Sequence, residues 1–367
     1  MLMLNGECEA ASQDDLWRSD LKTLGYAAQS AQEPLAPFSF ERREPRANDV
    51  AIDILYCGVC HSDLHTARND WGVTLYPAVP GHEIVGRVSA VGDDVADFVV
   101  GDTVAVGCMV DSCKECDQCH QGEEQYCREG NTQTYGGQDR VDGTPTFGGY
   151  SKHIVVRDEF VLRVPENLDL ARVAPLVCAG ITTYSPLRTW NVGPGSRVAV
   201  VGMGGLGHMG IKLAVGLGAH VTVISRTEAK KDDALELGAH EFLASSDEGA
   251  MALAQASFDV ILDTVPVKHD INPYIPLLDV DGTLVIVGQV GPLAEPMTVP
   301  MIFGRRRVAG SLIGGIAETQ EMLDFCGRMN ILPECETIAM GEINEAYERM
   351  EKSDVRYRFV IDMATLS

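Results

Sequence analysis

SRVAVVGMGGLGHMGIKLAVGLGAHVTVIS, residues 196–225, decides the architecture. It reads as a short apolar β-branched run, a glycine turn, a stretch with helical apolar spacing and a second β-branched run: strand, turn, helix, strand. The turn Gly202-Met203-Gly204-Gly205-Leu206-Gly207 fits G-x-G-x-x-G and directly follows the run Val198-Ala199-Val200-Val201. Each glycine then has a task. Gly202 makes the tight turn, Gly204 lets backbone approach a pyrophosphate, and Gly207 lets helix and strand pack closely, with the phosphates on the positive end of the helix dipole. The hexapeptide alone is a weak signal, and the flanking elements turn it into a dinucleotide site.

Downstream, ALELGAH (234–240), FDVILDTV (258–265) and GTLVIVG (282–288) continue the alternation, so an α/β doubly wound parallel sheet is expected. A helical stretch, TQEMLDFCGRM, and a strand-like RYRFVIDM close the chain. Upstream, from Gly25 to about Phe160, short β-rich segments such as VAIDILYCGV (50–59), HEIVGRVSAVG (82–92) and DTVAVG (102–107) are broken by Gly, Pro and Asp. That spacing predicts a mostly antiparallel barrel. Residues 1–24 are polar and acidic and read as an extension with little order of its own.

The end of the second strand selects the cofactor. A carboxylate there would hold the ribose diol of NAD; this chain has Ser225-Arg226-Thr227, with Lys230 and Lys231 just beyond. Hydroxyl and guanidinium groups hydrogen-bond a 2′-phosphate that a carboxylate would repel, so NADP(H) is expected.

Bulk properties bound the rest. A length of 367 residues suits two domains, and 45% hydrophobic with 22% charged residues is ordinary for a globular protein. With 53 acidic against 29 basic residues the formal charge is −24, a field that disfavours nucleic-acid and membrane-surface partners. The same excess fits a solvated acidic shell and a high-salt habitat alike. No apolar run reaches the roughly 18 residues of a membrane helix. The opening MLMLNGECEAASQDDLWRSD has no basic region and no long apolar core, so a cytoplasmic location is expected.

Eleven cysteines in such a chain point to thiols and metal. Cys113, Cys116, Cys119 and Cys127 supply four thiolates in one loop, which suits a closed structural zinc site; an iron–sulfur cluster is the competing reading. Cys57-Gly58-Val59-Cys60-His61 matches the haem-attachment pattern C-x-x-C-H, but without an export signal Cys57 reads better as a buried core thiol.

GVCHSDLH (58–65), YPAVPGHEIVGRV (76–88), VGDTVAVGCMV (100–110), EQYC (124–127), APLVCAGITTYSPL (174–187), DTVPV (263–267), GSLIG (310–314) and DVRYRFVIDM (354–363) together resemble the zinc-dependent medium-chain alcohol dehydrogenases. Within them the resemblance is to the cinnamyl-alcohol-dehydrogenase-like branch, with its bacterial broad-range NADP-dependent aldehyde reductases. It runs from about Gly25 to Met363. It implies a GroES-like catalytic domain over 25–178 and 316–367, split by a Rossmann domain over 179–315, and a homodimer.

The resemblance also implies two zinc ions per chain: a catalytic one on Cys60, His82 and Cys178, with Glu83 as a possible alternate ligand, and a structural one on the clustered cysteines. It implies that Ser62 takes the alcohol proton, that His65 is the relay's outlet and that Asp63 orients His82. His61 would approach the cofactor pyrophosphate, and Thr182, Gly205, Leu206, Thr264, Val265, Val287, Gly288, Ser311 and Ile313 would line the cofactor cleft. Three ligands and an open position are what catalytic zinc needs to act as a Lewis acid on an alcohol or aldehyde oxygen.

Gln133 stands where the plant enzymes often have tryptophan, which removes an aromatic wall and favours a broad aldehyde range; Leu312 and Ile313 are expected to line an apolar pocket. A zinc-free quinone or enoyl reductase, or a nucleotide-sensing protein on the same fold, would not need the ligand and relay residues found here.

Overall fold

The computed structural model describes residues 22–288 and 291–367. The strands Glu241–Ala244, His220–Ser225, Arg197–Val201, Phe258–Asp263, Leu278–Ile286 and Arg307–Gly310 form one sheet in that spatial order. Every pairing in it is parallel, from Val198 beside Val221 and Val260 to Val285 beside Ala309. Val198, Ala199 and Val200 are fully buried, as a strand covered on both faces requires. The order steps outward in both directions from Arg197–Val201. That makes the C-terminal ends of Arg197–Val201 and Phe258–Asp263 the switch point where such sheets open a cleft.

The second sheet runs Cys335–Ala339, Arg358–Asp362, Asp49–Val59, Ile84–Val91, Thr103–Val106, Leu162–Arg163, with His153–Arg157 also on Asp49–Val59. Only its first pair is parallel. Asp49–Val59 organises it. One edge pairs with Ile84–Val91, through two register shifts that bend the strand. The other edge is shared: residues 49–53 pair with His153–Arg157, and residues 56–59 pair with Arg358–Asp362. The chain's last strand thus fills the half-edge that its first domain leaves open, carrying the C-terminal segment back to that domain.

One expectation is corrected. Residues 22–24, assigned to the polar extension, open a strand, Lys22–Ala27, that pairs along its whole length with Ala36–Glu41. Leu24 packs against the core and Thr23 is buried, so the polar look of Lys22-Thr23 conceals a strand with an inward face. The remainder of that extension, residues 1–21, lies outside the described residues.

Candidate metal centres and cofactor cleft

Cys60 follows strand Asp49–Val59 directly and caps helix His61–Arg68. His82 and Glu83 precede the neighbouring strand Ile84–Val91, and the Gly58 amide donates to the Glu83 carbonyl at 2.8 Å. A Cβ at Gly58 would sit 1.9 Å from the Glu83 carboxylate, so only glycine leaves room there. Cys178 caps helix Ala179–Thr189. These separate chain ends meet: ligand atoms of Cys60, His82, Glu83 and Cys178 lie within 4.8 Å of one another.

Cys178 Sγ is 3.2 Å from His82 Nε2 and 4.0 Å from Cys60 Sγ. With Zn–S bonds of about 2.3 Å, a tetrahedron has S–S edges of about 3.8 Å, so the donor set fits zinc. The two thiols share a proton unequally. Cys60 is pushed well down by its hydrogen bond with Cys178, and Cys178 is pushed well up by Cys108 and Cys60. Glu83 is fully buried, one of its oxygens paired with the Arg358 guanidinium and the other without a partner among the described residues. Burial pushes its carboxyl up to about 7, with Arg358 pulling the other way.

A second carboxylate holds the set from behind. Asp63 accepts from the Cys60 amide at 2.9 Å, the Gly81 amide at 3.0 Å and the Tyr150 hydroxyl at 3.1 Å. It also lies 3.2 Å from His82 Nδ1. Three donors hold the buried carboxylate beside the second nitrogen of the imidazole.

In the cysteine lobe, Cys113, Cys116, Cys119 and Cys127 have their sulfurs within 4.8 Å of one another. Cys119 Sγ is 3.8 Å from Cys113 Sγ and 3.5 Å from Cys116 Sγ. Backbone amides of Cys113, Cys116 and Arg128 each donate to a sulfur at 3.4 Å, which favours thiolate. Four sulfurs this close fit structural zinc.

The glycine turn reaches the same region through Arg358, which pairs with Glu83. Gly202 has φ +89°, a Cβ at Gly207 would meet the Gly202 carbonyl at 2.3 Å, and a Cβ at Gly204 would meet nothing within 4 Å. One glycine turns, one packs and one faces open space. Thr264 Oγ1 donates to the Val201 carbonyl at 2.8 Å, holding the next strand end beside the turn.

Two family models match, Alcohol dehydrogenase GroES-like domain over residues 46–166 and Zinc-binding dehydrogenase over residues 205–328. An aldehyde reductase of Escherichia coli is 53% identical over 95% of this chain and 100% of its own. The chain belongs to the zinc-binding alcohol dehydrogenases. The NADP-dependent alcohol dehydrogenase C 1 of Mycolicibacterium smegmatis is 54% identical over 93% of this chain and 98% of its own. The solved structure of a Sorghum bicolor cinnamyl alcohol dehydrogenase has TM-score 0.91 and 46% identity, covering 94% of this chain and 99% of that one.

In this zinc-binding dehydrogenase the haem-like pattern is dismantled. Cys57 is fully buried in the core, with Gly81 and Gly149 against its sulfur, while Cys60 turns to the metal set. Ser62 and His65 lie one turn apart on helix His61–Arg68, and His65 Nδ1 is 2.7 Å from Asp70. His61 is mostly desolvated, which lowers its pKa. Arg226 is exposed and has no ion-pair partner among the described residues; Lys230 donates to the Met203 carbonyl in the glycine turn at 3.1 Å, and Lys231 pairs with Glu228.

Sequence reasoning missed Arg358, Tyr135 and Tyr150. Arg358 joins Glu83 to the glycine turn, where a Cβ at Gly205 would meet its side chain at 2.9 Å. Tyr135 places its hydroxyl 3.1 Å from His82 Nδ1.

Proposed function

We propose that this chain is an NADP(H)-dependent aldehyde reductase of broad range, converting aromatic and aliphatic aldehydes to primary alcohols and back. One hydride passes between the alcohol carbon and the nicotinamide, and one proton is exchanged with solvent. The observation that carries this reading is the meeting of Cys60, His82 and Cys178, with Arg358 reaching from Glu83 to the glycine turn. Zinc bound there supplies Lewis acidity to the substrate oxygen.

The chain's own groups do the rest. Ser62, in the first turn of the helix that Cys60 caps, exchanges the proton with substrate; His65 passes it on to solvent, its Nδ1 fixed by Asp70. Asp63 orients His82, and Glu83 has one oxygen without a partner among the described residues with which to serve as an alternate ligand. His61 and the glycine turn take the pyrophosphate. The remaining cleft residues named from the sequence take the ribose and nicotinamide.

NADP(H) is supported by unpaired Arg226 beside Ser225, and by the NADP-dependence of the mycobacterial relative. Cellular NADP pools run reduced, which favours aldehyde reduction. Breadth is supported by Gln133, exposed and polar in place of an aromatic wall.

The catalytic unit is taken as 25–178 with 316–367 and the nucleotide unit as 179–315, with the protein in the cytoplasm. A homodimer is supported by edge strand Arg307–Gly310 and the helix Thr298–Gly304 near it, on which Ile302 is 72% and Phe303 87% exposed. Initial rates with NADPH and NADH on benzaldehyde, cinnamaldehyde and short aliphatic aldehydes test the reading. NADPH preference across all three classes is expected; NADH preference, or a cinnamaldehyde preference of about a thousandfold, well beyond what one missing ring contact supplies, contradicts it.

A further inference from the structure

Arg42 differs from the arginines beside it. Arg43 and Arg46 pair with Asp49, Asp139 and Asp142, whereas Arg42 has no carboxylate partner among the described residues. Its guanidinium donates only to neutral acceptors, all on one loop: the carbonyls of Phe147 (2.5 Å), Gly148 (2.9 Å) and His153 (2.9 Å), and Ser151 Oγ (2.7 Å). The group sits 4.9 Å over the Phe40 ring. Burial, with Arg43 beside it, lowers its pKa to about 9, and it stays a cation at neutral pH.

The other face of that loop lies on the segment that carries His82. Gly148, Gly149 and Tyr150 donate their amides to the carbonyls of Val79 (2.8 Å), Gly81 (2.8 Å) and Pro80 (3.0 Å). The approach is so close that a Cβ at Gly148 would lie 2.3 Å from the Pro80 carbonyl and one at Gly149 2.4 Å from Ile84. Tyr150, fully buried, then delivers its hydroxyl to Asp63 at 3.1 Å.

We propose that Arg42 is a positioning residue for the Cys60–His82–Cys178 centre: it fixes the loop of residues 147–153 from behind, and the loop sets both the backbone leading to His82 and the hydroxyl that holds Asp63. This rests on the reading of those three side chains as metal ligands. Arg42 acts through Tyr150 and Asp63 and touches neither substrate nor cofactor. An ordinary structural arginine would lower stability alone; a positioning one loosens one metal and spares the other.

The test is zinc release from the purified enzyme into a colorimetric chelator, with Cys60→Ala identifying the phase that belongs to the centre. In Arg42→Met that phase is expected to run about tenfold faster, the scale seen when the outer partners of a metal-bound histidine are lost. The four-cysteine phase should be unchanged, kcat should fall, and KM for NADPH should hold. Tyr150→Phe, a gentler change, should move the same phase in the same direction. The double variant should fall short of the product of the two single effects by more than about twofold, the ordinary error of additivity. Arg42→Lys keeps the charge without the fork and should lie between.

Arg197→Met, which breaks ion pairs with Asp259 and Asp279 in the other sheet, controls for loss of stability. Wild-type release and kcat in Arg42→Met, the same acceleration in Arg197→Met, or independent effects of Arg42 and Tyr150 would each overturn the inference. A wild-type protein with no zinc phase removed by Cys60→Ala would overturn the site reading itself, and the inference with it.

Discussion

Arg226 follows strand His220–Ser225, exposed and without an ion-pair partner among the described residues, so its charge is available to an anion rather than committed to a carboxylate. A charge-assisted hydrogen bond contributes about 1.5–3 kcal/mol, so Arg226→Asp should shift the NADPH/NADH ratio of kcat/KM by at least about tenfold toward NADH. An unchanged ratio removes Arg226 from the assignment. Asp139 carries a different charge effect. Burial raises its pKa, but the hydrogen bond from Arg46 and the backbone amides of Val141 and Asp142 outweigh it and bring the carboxyl down to about 2. A folded-state value below the unfolded one, about 3.9, gives stability that is present above that pH and lost as pH falls toward 2. Asp139→Asn should therefore lower Tm at pH 6 and lose its difference from wild type near pH 2. A gap that persists in acid contradicts the pairing. Residues of this kind show where reading the chain succeeds. Arg226 was legible because it follows a recognisable strand. Arg358 was not, because its partner Glu83 lies 275 positions away and no local pattern links them. The bond from Tyr150 to Asp63, 87 positions apart, was hidden for the same reason.

Strands and helices with strong local periodicity were the readable elements. The glycine turn has the turning Gly202 and the close-packed Gly207 read from the sequence, and RYRFVIDM does form the strand Arg358–Asp362. Its place was not readable: pairing with the second half of Asp49–Val59 depends on which edge other strands leave open. The crossing between the two units, Ser311 to Ile316, has a similar non-local support. Ile313 there has φ +36°, a left-handed value unusual for a β-branched residue, which costs on the order of 1–3 kcal/mol and needs outside restraint. The cysteine lobe supplies it. Tyr126 Oη accepts from the Leu312 amide at 3.1 Å and Glu124 from the Ile316 amide at 3.0 Å. A Cβ at Gly315 would lie 1.7 Å from the Gly122 carbonyl, so Gly315→Ala should push the crossing off the lobe. Higher aldehyde KM and a lower Tm are expected, with Tyr126→Phe showing a smaller change of the same sign. Wild-type KM in Gly315→Ala would mean that the crossing does not shape the pocket. Leu312, expected to line an apolar pocket, is 51% exposed.

The whole molecule divides its labour between two sheets. One carries the glycine turn at its switch point; the other brings Cys60 and His82 to the ends of neighbouring strands, and Arg358 on the last strand reaches from Glu83 to the glycine turn. Its formal charge of −24 makes association with another acidic surface unfavourable, so a homodimer needs an apolar patch. Phe303→Glu should convert a dimer to monomer in light scattering, while a dimer that survives the change places its interface elsewhere. The three-ligand centre itself was not legible from spacing, since Cys60, His82 and Cys178 each look like an ordinary buried thiol or histidine until a family pattern is matched. Its most direct test is zinc per chain together with NADPH-linked aldehyde turnover, measured for wild type and Cys60→Ala. The expected result is two zinc ions and turnover in wild type, against one zinc ion, no turnover and intact NADPH binding in the variant. Turnover that persists in Cys60→Ala, or a wild-type chain that holds only the four-cysteine zinc, would contradict the central claim.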